Sequence, residues 1–138
     1  MFRAILATAF LLAASTEGLA MDSLSQSTWK NRVLVVFGQP TAPKLSRQIA
    51  LFKSQTDDLA ERDMVVLQVS RDKVSAVYGD NPDIKPDDLR AELQASDEFQ
   101  LVLVGKDGGV KLRSKDVVAD AEVFDLIDRM PMRQGEQK

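Results

Sequence analysis

Apolar residues gather in short, dense runs along this chain. Val33-Leu34-Val35-Val36-Phe37, Met64-Val65-Val66-Leu67-Gln68-Val69 and Leu101-Val102-Leu103-Val104 are rich in β-branched residues and nearly unbroken. Runs of this kind predict strands covered on both faces. Past the third run, Val110 and Leu112 alternate with Lys111 and Arg113, as in a half-exposed strand. Between these last two lies Gly105-Lys106-Asp107-Gly108-Gly109. Its Asp-Gly step and paired glycines predict a tight reversal, so Gln100–Arg113 reads as a β-hairpin. A phosphate-cradling loop is the functional rival. It fails because Gly-x-x-x-x-Gly-Lys-Ser/Thr is absent and no helix pattern follows the glycines.

Between the strands the period changes. Leu45, Ile49, Phe52 and Leu59 form one helical stripe from about Lys44, with Pro43 suited to the first turn. Gly38-Gln39-Pro40-Thr41-Ala42-Pro43 is a fixed loop ahead of it. Pro86–Leu93 predicts a short helix with acids in its first turn. Ala119–Met130 predicts a last helix, with Asp120 as N-cap and Val123, Phe124, Ile127 and Met130 on one face. Pro131 is expected to end it, leaving Arg133–Lys138 as a frayed polar tail. Ser70–Asp83 is open between a helical turn and a loop. The order is therefore β-α-β-α-β-β-α, an α/β sandwich with a parallel right-handed crossover and a C-terminal antiparallel hairpin. That order matches a thioredoxin-like fold.

The amino terminus has its own pattern. Met1-Phe2-Arg3 precedes the apolar block Ala4–Ala14, and small residues end at Gly18-Leu19-Ala20. This reads as a secretory signal peptide over residues 1–20, cut after Ala20. The block is short of the ~20 apolar residues of a membrane-crossing helix. A periplasmic or secreted protein with no stable membrane span after cleavage is expected. Residues 21–32 form a lead-in whose Trp29 is expected to pack on the sheet edge. Residues 33–131 form the domain and 132–138 the tail.

Composition then narrows the chemistry. The chain holds no cysteine and no histidine. Thiol chemistry, disulfides, Ser-His-Asp and Cys-His arrangements and Cys/His zinc sites are impossible. A net charge of −3 and a sequence pI near 5.0 argue against a nucleic-acid partner. No cofactor and no metal are expected.

Three segments together carry a resemblance. Trp29-Lys-Asn-Arg-Val-Leu-Val-Val-Phe37, the hairpin Leu103–Arg113 and Phe124-Asp-Leu-Ile-Asp-Arg-Met-Pro-Met-Arg133 resemble a peroxiredoxin-like, thioredoxin-fold domain family. That family occurs in bacterial exported proteins and in animal extracellular matrix proteins such as sushi-repeat-containing ones. The resemblance spans nearly all of Leu24–Arg133. It implies the fold and an extracytoplasmic address, and no settled activity. Redox-active members carry Cys-x-x-Cys, or one cysteine, where this chain has Pro40-Thr41-Ala42-Pro43-Lys44-Leu45. Pro40 and Thr41 echo a Pro-x-x-x-Thr-x-x-Cys motif only faintly. The proline that usually precedes the hairpin's first strand is missing from Ser96–Gln100.

The vacated loop still precedes a helix, whose free N–H groups and dipole favour an anion. Gln39, Pro40, Thr41, Lys44 and Arg47 are the candidate binding residues, set against a purely structural loop. No catalytic residue is nominated, and nothing marks Ser46 or Ser70 as a nucleophile. Asp80, Asp83, Asp87 and Asp88 suit calcium chemically, but their spacing is not that of an EF-hand. Met130 and Met132 are weak soft-metal candidates, better read as core filling and helix termination. Asp125 and Asp128 are a carboxylate pair without a visible cleft. Arg71, Lys106, Lys111 and Arg113 read as a solvated basic face. The function expected is that of a protein-interaction module with a periplasmic or extracellular protein as partner. The alternatives are a small anionic ligand at Gln39–Lys44, or an enzyme of unrecognised type.

Overall fold

A computed structural model of the chain describes Leu24 and residues 30–136. The predicted leader, its predicted cleavage point and Trp29 lie outside the described residues. The elements are β1 (Arg32–Phe37), α1 (Pro43–Lys53), α2 (Thr56–Glu61), β2 (Met64–Val69), β3 (Val74–Tyr78), α3 (Pro86–Leu93), β4 (Gln100–Val104), β5 (Val110–Ser114), α4 (Asp120–Asp128) and α5 (Pro131–Glu136).

The strands form one five-stranded sheet in the order β3-β2-β1-β4-β5. β1 and β2 run parallel, with Leu34 opposite Val66. β4 lies antiparallel on the other side of β1, with Val35 opposite Val102, and β5 closes the hairpin. One crossover pair, one hairpin and helices on both faces make this a thioredoxin-like α/β sandwich. β3 is an added antiparallel edge.

Both faces of the sheet are covered, which is why the runs are unbroken. On one face Leu34, Val36, Val66, Leu101 and Leu103 meet Leu45 and Phe52 of α1, Leu59 of α2, and Val123, Phe124 and Ile127 of α4. On the other, Val33, Val35, Phe37, Leu67, Val69 and Val102 meet Leu89 and Leu93 of α3, with Leu24 beside them.

Several expectations need correction. The stripe from Leu45 to Leu59 serves one core but runs over two helices. α1 stops at Lys53 and α2 starts at Thr56. Ser54-Gln55 interrupt the ladder, and Asp57 and Asp58 supply a fresh acidic first turn. Ser70–Asp83 has no helical turn; it holds a strand, β3, between two stretches of loop. In β3 the register slips, so that Val66 faces Tyr78 and Leu67 faces Ala76. The slip places Val74 and Ala76 on one core but Val77 and Tyr78 on the other. That bulge erases the alternation by which a strand is read. Asp120 is the first residue of α4, and the N-cap is Ala119. Pro131 opens α5, where its missing N–H costs nothing, and the expected frayed tail is helical to Glu136. Among the described residues no helix is long and apolar enough to cross a membrane.

Candidate functional site

The loop after β1 leaves the sheet at the carboxyl end of the parallel pair, where open α/β sheets collect ligands. Gly38 N–H donates to the Val69 carbonyl at 3.1 Å and ties the loop to the end of β2. Ala42 N–H donates to the Gln39 carbonyl at 2.9 Å, closing a turn around Pro40 and Thr41. Gln39, Pro40, Thr41, Lys44 and Arg47 are all exposed. The first three share the turn. Lys44 reaches away to the β5–α4 loop, its Nζ donating to Asp116 Oδ1 at 3.0 Å and to the Lys115 carbonyl at 3.4 Å. Its charge is thus already met. Arg47 makes no ion pair among the described residues and lies one turn along the same helix face. The α1 N-cap, Ala42, offers no side-chain hydrogen bond, but neither do the caps of α3 and α4. An uncapped start therefore does not single out α1.

Beside this turn runs a shallow groove of about 310 Å³, walled by Pro40, Leu45, Ile49 and Ala50 and edged by Lys53 and Gln68. Sequence reasoning missed it. Its one sequence signal is Gln68, the polar residue inside an otherwise apolar strand. Among the described residues lining this groove, no hydrogen bond joins a nucleophile to a base.

The opposite end of the sheet holds the densest charge. Arg32 is only 1% exposed, Arg133 3% and Lys106 8%. Arg32 donates from Nη1 and Nη2 to the two oxygens of Glu136, each at 3.2 Å. Lys106 Nζ donates to Glu136 Oε2 at 2.6 Å and to Asp63 Oδ2 at 2.8 Å. Arg62 donates to Asp128 at 3.0 and 2.9 Å and lies 4.6 Å from the centre of the Phe124 ring. Arg133 donates to the Glu61 carbonyl at 2.9 Å and to Asp128 at 3.3 Å. Lys106 is therefore no part of a solvated face. The hairpin turn carries it inward, its stem shielded and its ammonium paired. Asp63 sits at φ 52°, in the left-handed region that aspartate tolerates. Its carbonyl accepts from Arg32 N–H at 3.0 Å.

The electrostatics follow from these contacts. Burial pushes the Glu136 carboxyl up, but hydrogen bonds from Lys106 and Arg32 outweigh it and hold the group below its usual value. The Arg62 guanidinium holds the Asp128 carboxyl down, and Asp128 holds Arg62 up. Asp128 is thus committed to two arginines and forms no pair with Asp125.

A wider groove of about 1000 Å³ lies along β2 and the segment after β3, touching Val65, Tyr78, Asp80, Asp83, Ile84 and Asp88. The acidic cluster reaches it, yet among the described residues no group of acids is arranged to hold a metal. Met130 packs on the core while Met132 is exposed, so the two sulfurs serve different surroundings.

Over residues 23–136 the chain matches a family described as a domain of unknown function (DUF4174), and it belongs to that family. No curated protein matches it.

Proposed function

We propose that this DUF4174 chain is an exported, non-redox thioredoxin-like domain that works by binding another protein. The contact surface is the turn Gln39–Lys44 with the groove beside it. One observation carries the reading: Pro40 belongs both to the exposed turn and to the wall of the groove. A rigid proline knuckle thus continues into an apolar channel on the face where such sheets collect ligands. Export is supported by the amino-terminal pattern. The partner is then a periplasmic or extracellular protein. We extend the kinship to the peroxiredoxin-like, thioredoxin-fold domains of exported bacterial and animal matrix proteins. The cysteine-free loop marks this chain as a member that has lost the redox site.

A small anion is the second reading, favoured by Arg47, which no described carboxylate pairs. It is weaker because Lys44 already meets Asp116.

The test is capture of extracytoplasmic proteins on the immobilised chain, beside Ala50→Arg. Ala50 is exposed on α1, so arginine fills the groove without touching the core. A partner held by the native chain and lost by the folded variant supports the reading. Equal retention overturns the groove as the contact.

A further inference from the structure

Glu136 is ringed by cations that do not depend on it for their positions. Arg32 begins β1, and its Nη1 also donates to the Arg62 carbonyl at 2.9 Å. Lys106 lies in the β4–β5 turn and is separately held by Asp63 at 2.8 Å. Arg133 stands 3.7 Å from Glu136 Oε1 and is pinned to the Glu61 carbonyl at 2.9 Å. Remove the Glu136 carboxylate and each of these groups keeps a second anchor. What remains is a preorganised fork and ammonium around an empty place the size of one carboxylate. The guanidinium fork matches two oxygens in one plane, which a single ammonium does not select.

The occupant stands at the last residue of α5, one turn beyond Arg133, which anchors the helix to Glu61 and Asp128. α5 spans only Pro131–Glu136, too few residues to hold a helix without tertiary contacts. Buried cations strongly resist being left unpaired.

We propose that Arg32 and Lys106, with Arg133 beside them, form a receptor for an unhindered carboxylate, filled in this chain by its own Glu136. The site lies at the amino end of β1, about 17 Å of strand away from the loop at its carboxyl end. It is independent of the protein-binding reading made for that loop. A carboxylate from outside can be a small free acid or an acidic side chain of another polypeptide; both present the same group on a methylene or methyl carbon.

The experiment is chemical rescue in the full chain. Glu136→Ala removes the methylene and carboxylate that one acetate ion replaces. The variant is expected to melt on the order of 10 °C below the native chain in chloride. Titration with acetate at equal ionic strength and pH 7 should recover at least half of that loss, saturably. Pivalate, too bulky for the gap, should not. A second arm uses the peptide acetyl-Gly-Glu-amide, and rescue by it as well assigns the site to acidic side chains. Rescue by acetate alone assigns it to small free acids. Arg32→Met in the same background should abolish either effect. No rescue, or equal rescue by pivalate, overturns the proposal. If Glu136→Ala is unfolded in chloride, recovery of native circular dichroism is read over the same titrations. Failure to recover in acetate is then equally fatal.

Discussion

Gln48 and Val118 grip each other through both ends of one amide. Gln48 Nε2 donates to the Val118 carbonyl at 2.8 Å, and Gln48 Oε1 accepts from Val118 N–H at 2.8 Å. Gln48 is fully buried in α1, and Val118 ends the loop that carries Asp116. A side chain here stands in for a neighbouring strand. It satisfies two backbone groups that would otherwise be orphaned in the core.

Gln48→Leu keeps much of the volume but strands both backbone groups. It should cost about 2–4 kcal/mol, one buried unsatisfied group at a time. A urea titration checks this, as a lower midpoint with an unchanged slope. A loss below about 0.5 kcal/mol would mean water takes over both bonds.

Acid should unfold the domain through its paired carboxylates. Asp128 is held down by Arg62, Glu136 is lowered by Lys106 and Arg32 against burial, and Asp107 is lowered by its hydrogen bond from Lys111. Folded values below the unfolded ones mean stability that is present above the unfolded values, 3.8 for aspartate and 4.5 for glutamate. That stability is lost as pH falls through the folded values. Stability should therefore be level near neutrality and decline below about pH 4.5. Arg62, held above its usual value, stays charged throughout and contributes no slope in this range. Asp128→Asn should lower stability at pH 7 by about 2 kcal/mol and flatten the acid limb. Midpoints measured from pH 7 to pH 2 decide it, and an unchanged limb would contradict the assignment.

Two glycines should respond differently to alanine. Gly79 sits at φ +99°, and an added Cβ would meet Val65 Cγ2 at 3.1 Å and Cγ1 at 3.2 Å. Strain and contact together should cost about 1–2 kcal/mol or more. At Gly105 the nearest atom would be Lys111 Cε at 2.6 Å, on a long side chain with room to swing. Gly105→Ala should cost less than Gly79→Ala in paired thermal melts. The reverse order would show that the hairpin turn is the stiffer of the two.

Lys44→Glu breaks an exposed pair, since the Lys44 side chain is 49% and the Asp116 side chain 86% exposed. The expected loss is under about 1 kcal/mol, so the variant remains a clean probe of the loop. A melt shifted by much more would show that this pair orders the loop.

With no cysteine in the chain, neither peroxide consumption nor insulin disulfide reduction should exceed buffer. Turnover in either assay would refute the reading of a vacated redox site.

The strand runs Val33–Phe37, Met64–Val69 and Leu101–Val104 were legible because burial on both faces leaves only one polar position, Gln68, to confuse them. Asp107-Gly108 announced the hairpin for an equally local reason, since few residues tolerate φ 85°. The absence of thiol chemistry was readable from composition alone. β3 was not legible, because a one-residue bulge moves Tyr78 out of phase with Val74 and Ala76. Nor was the groove, whose Pro40 and Gln68 lie far apart in sequence.

What the sequence determined by itself was the three buried strands, the hairpin, the two-faced sheet and the absence of thiol chemistry. Each depends on neighbours along the chain or on residue types present. What only the tertiary structure decided was the fate of the charges. Arg32, Lys106 and Glu136 look like ordinary surface residues in sequence, separated by as many as 104 positions. Arg32 and Lys106 are buried and meet the part-exposed Glu136 carboxylate because β1, the β4–β5 turn and α5 converge at one end of the sheet. Pairing of that kind depends on distance in space, and no local pattern encodes it.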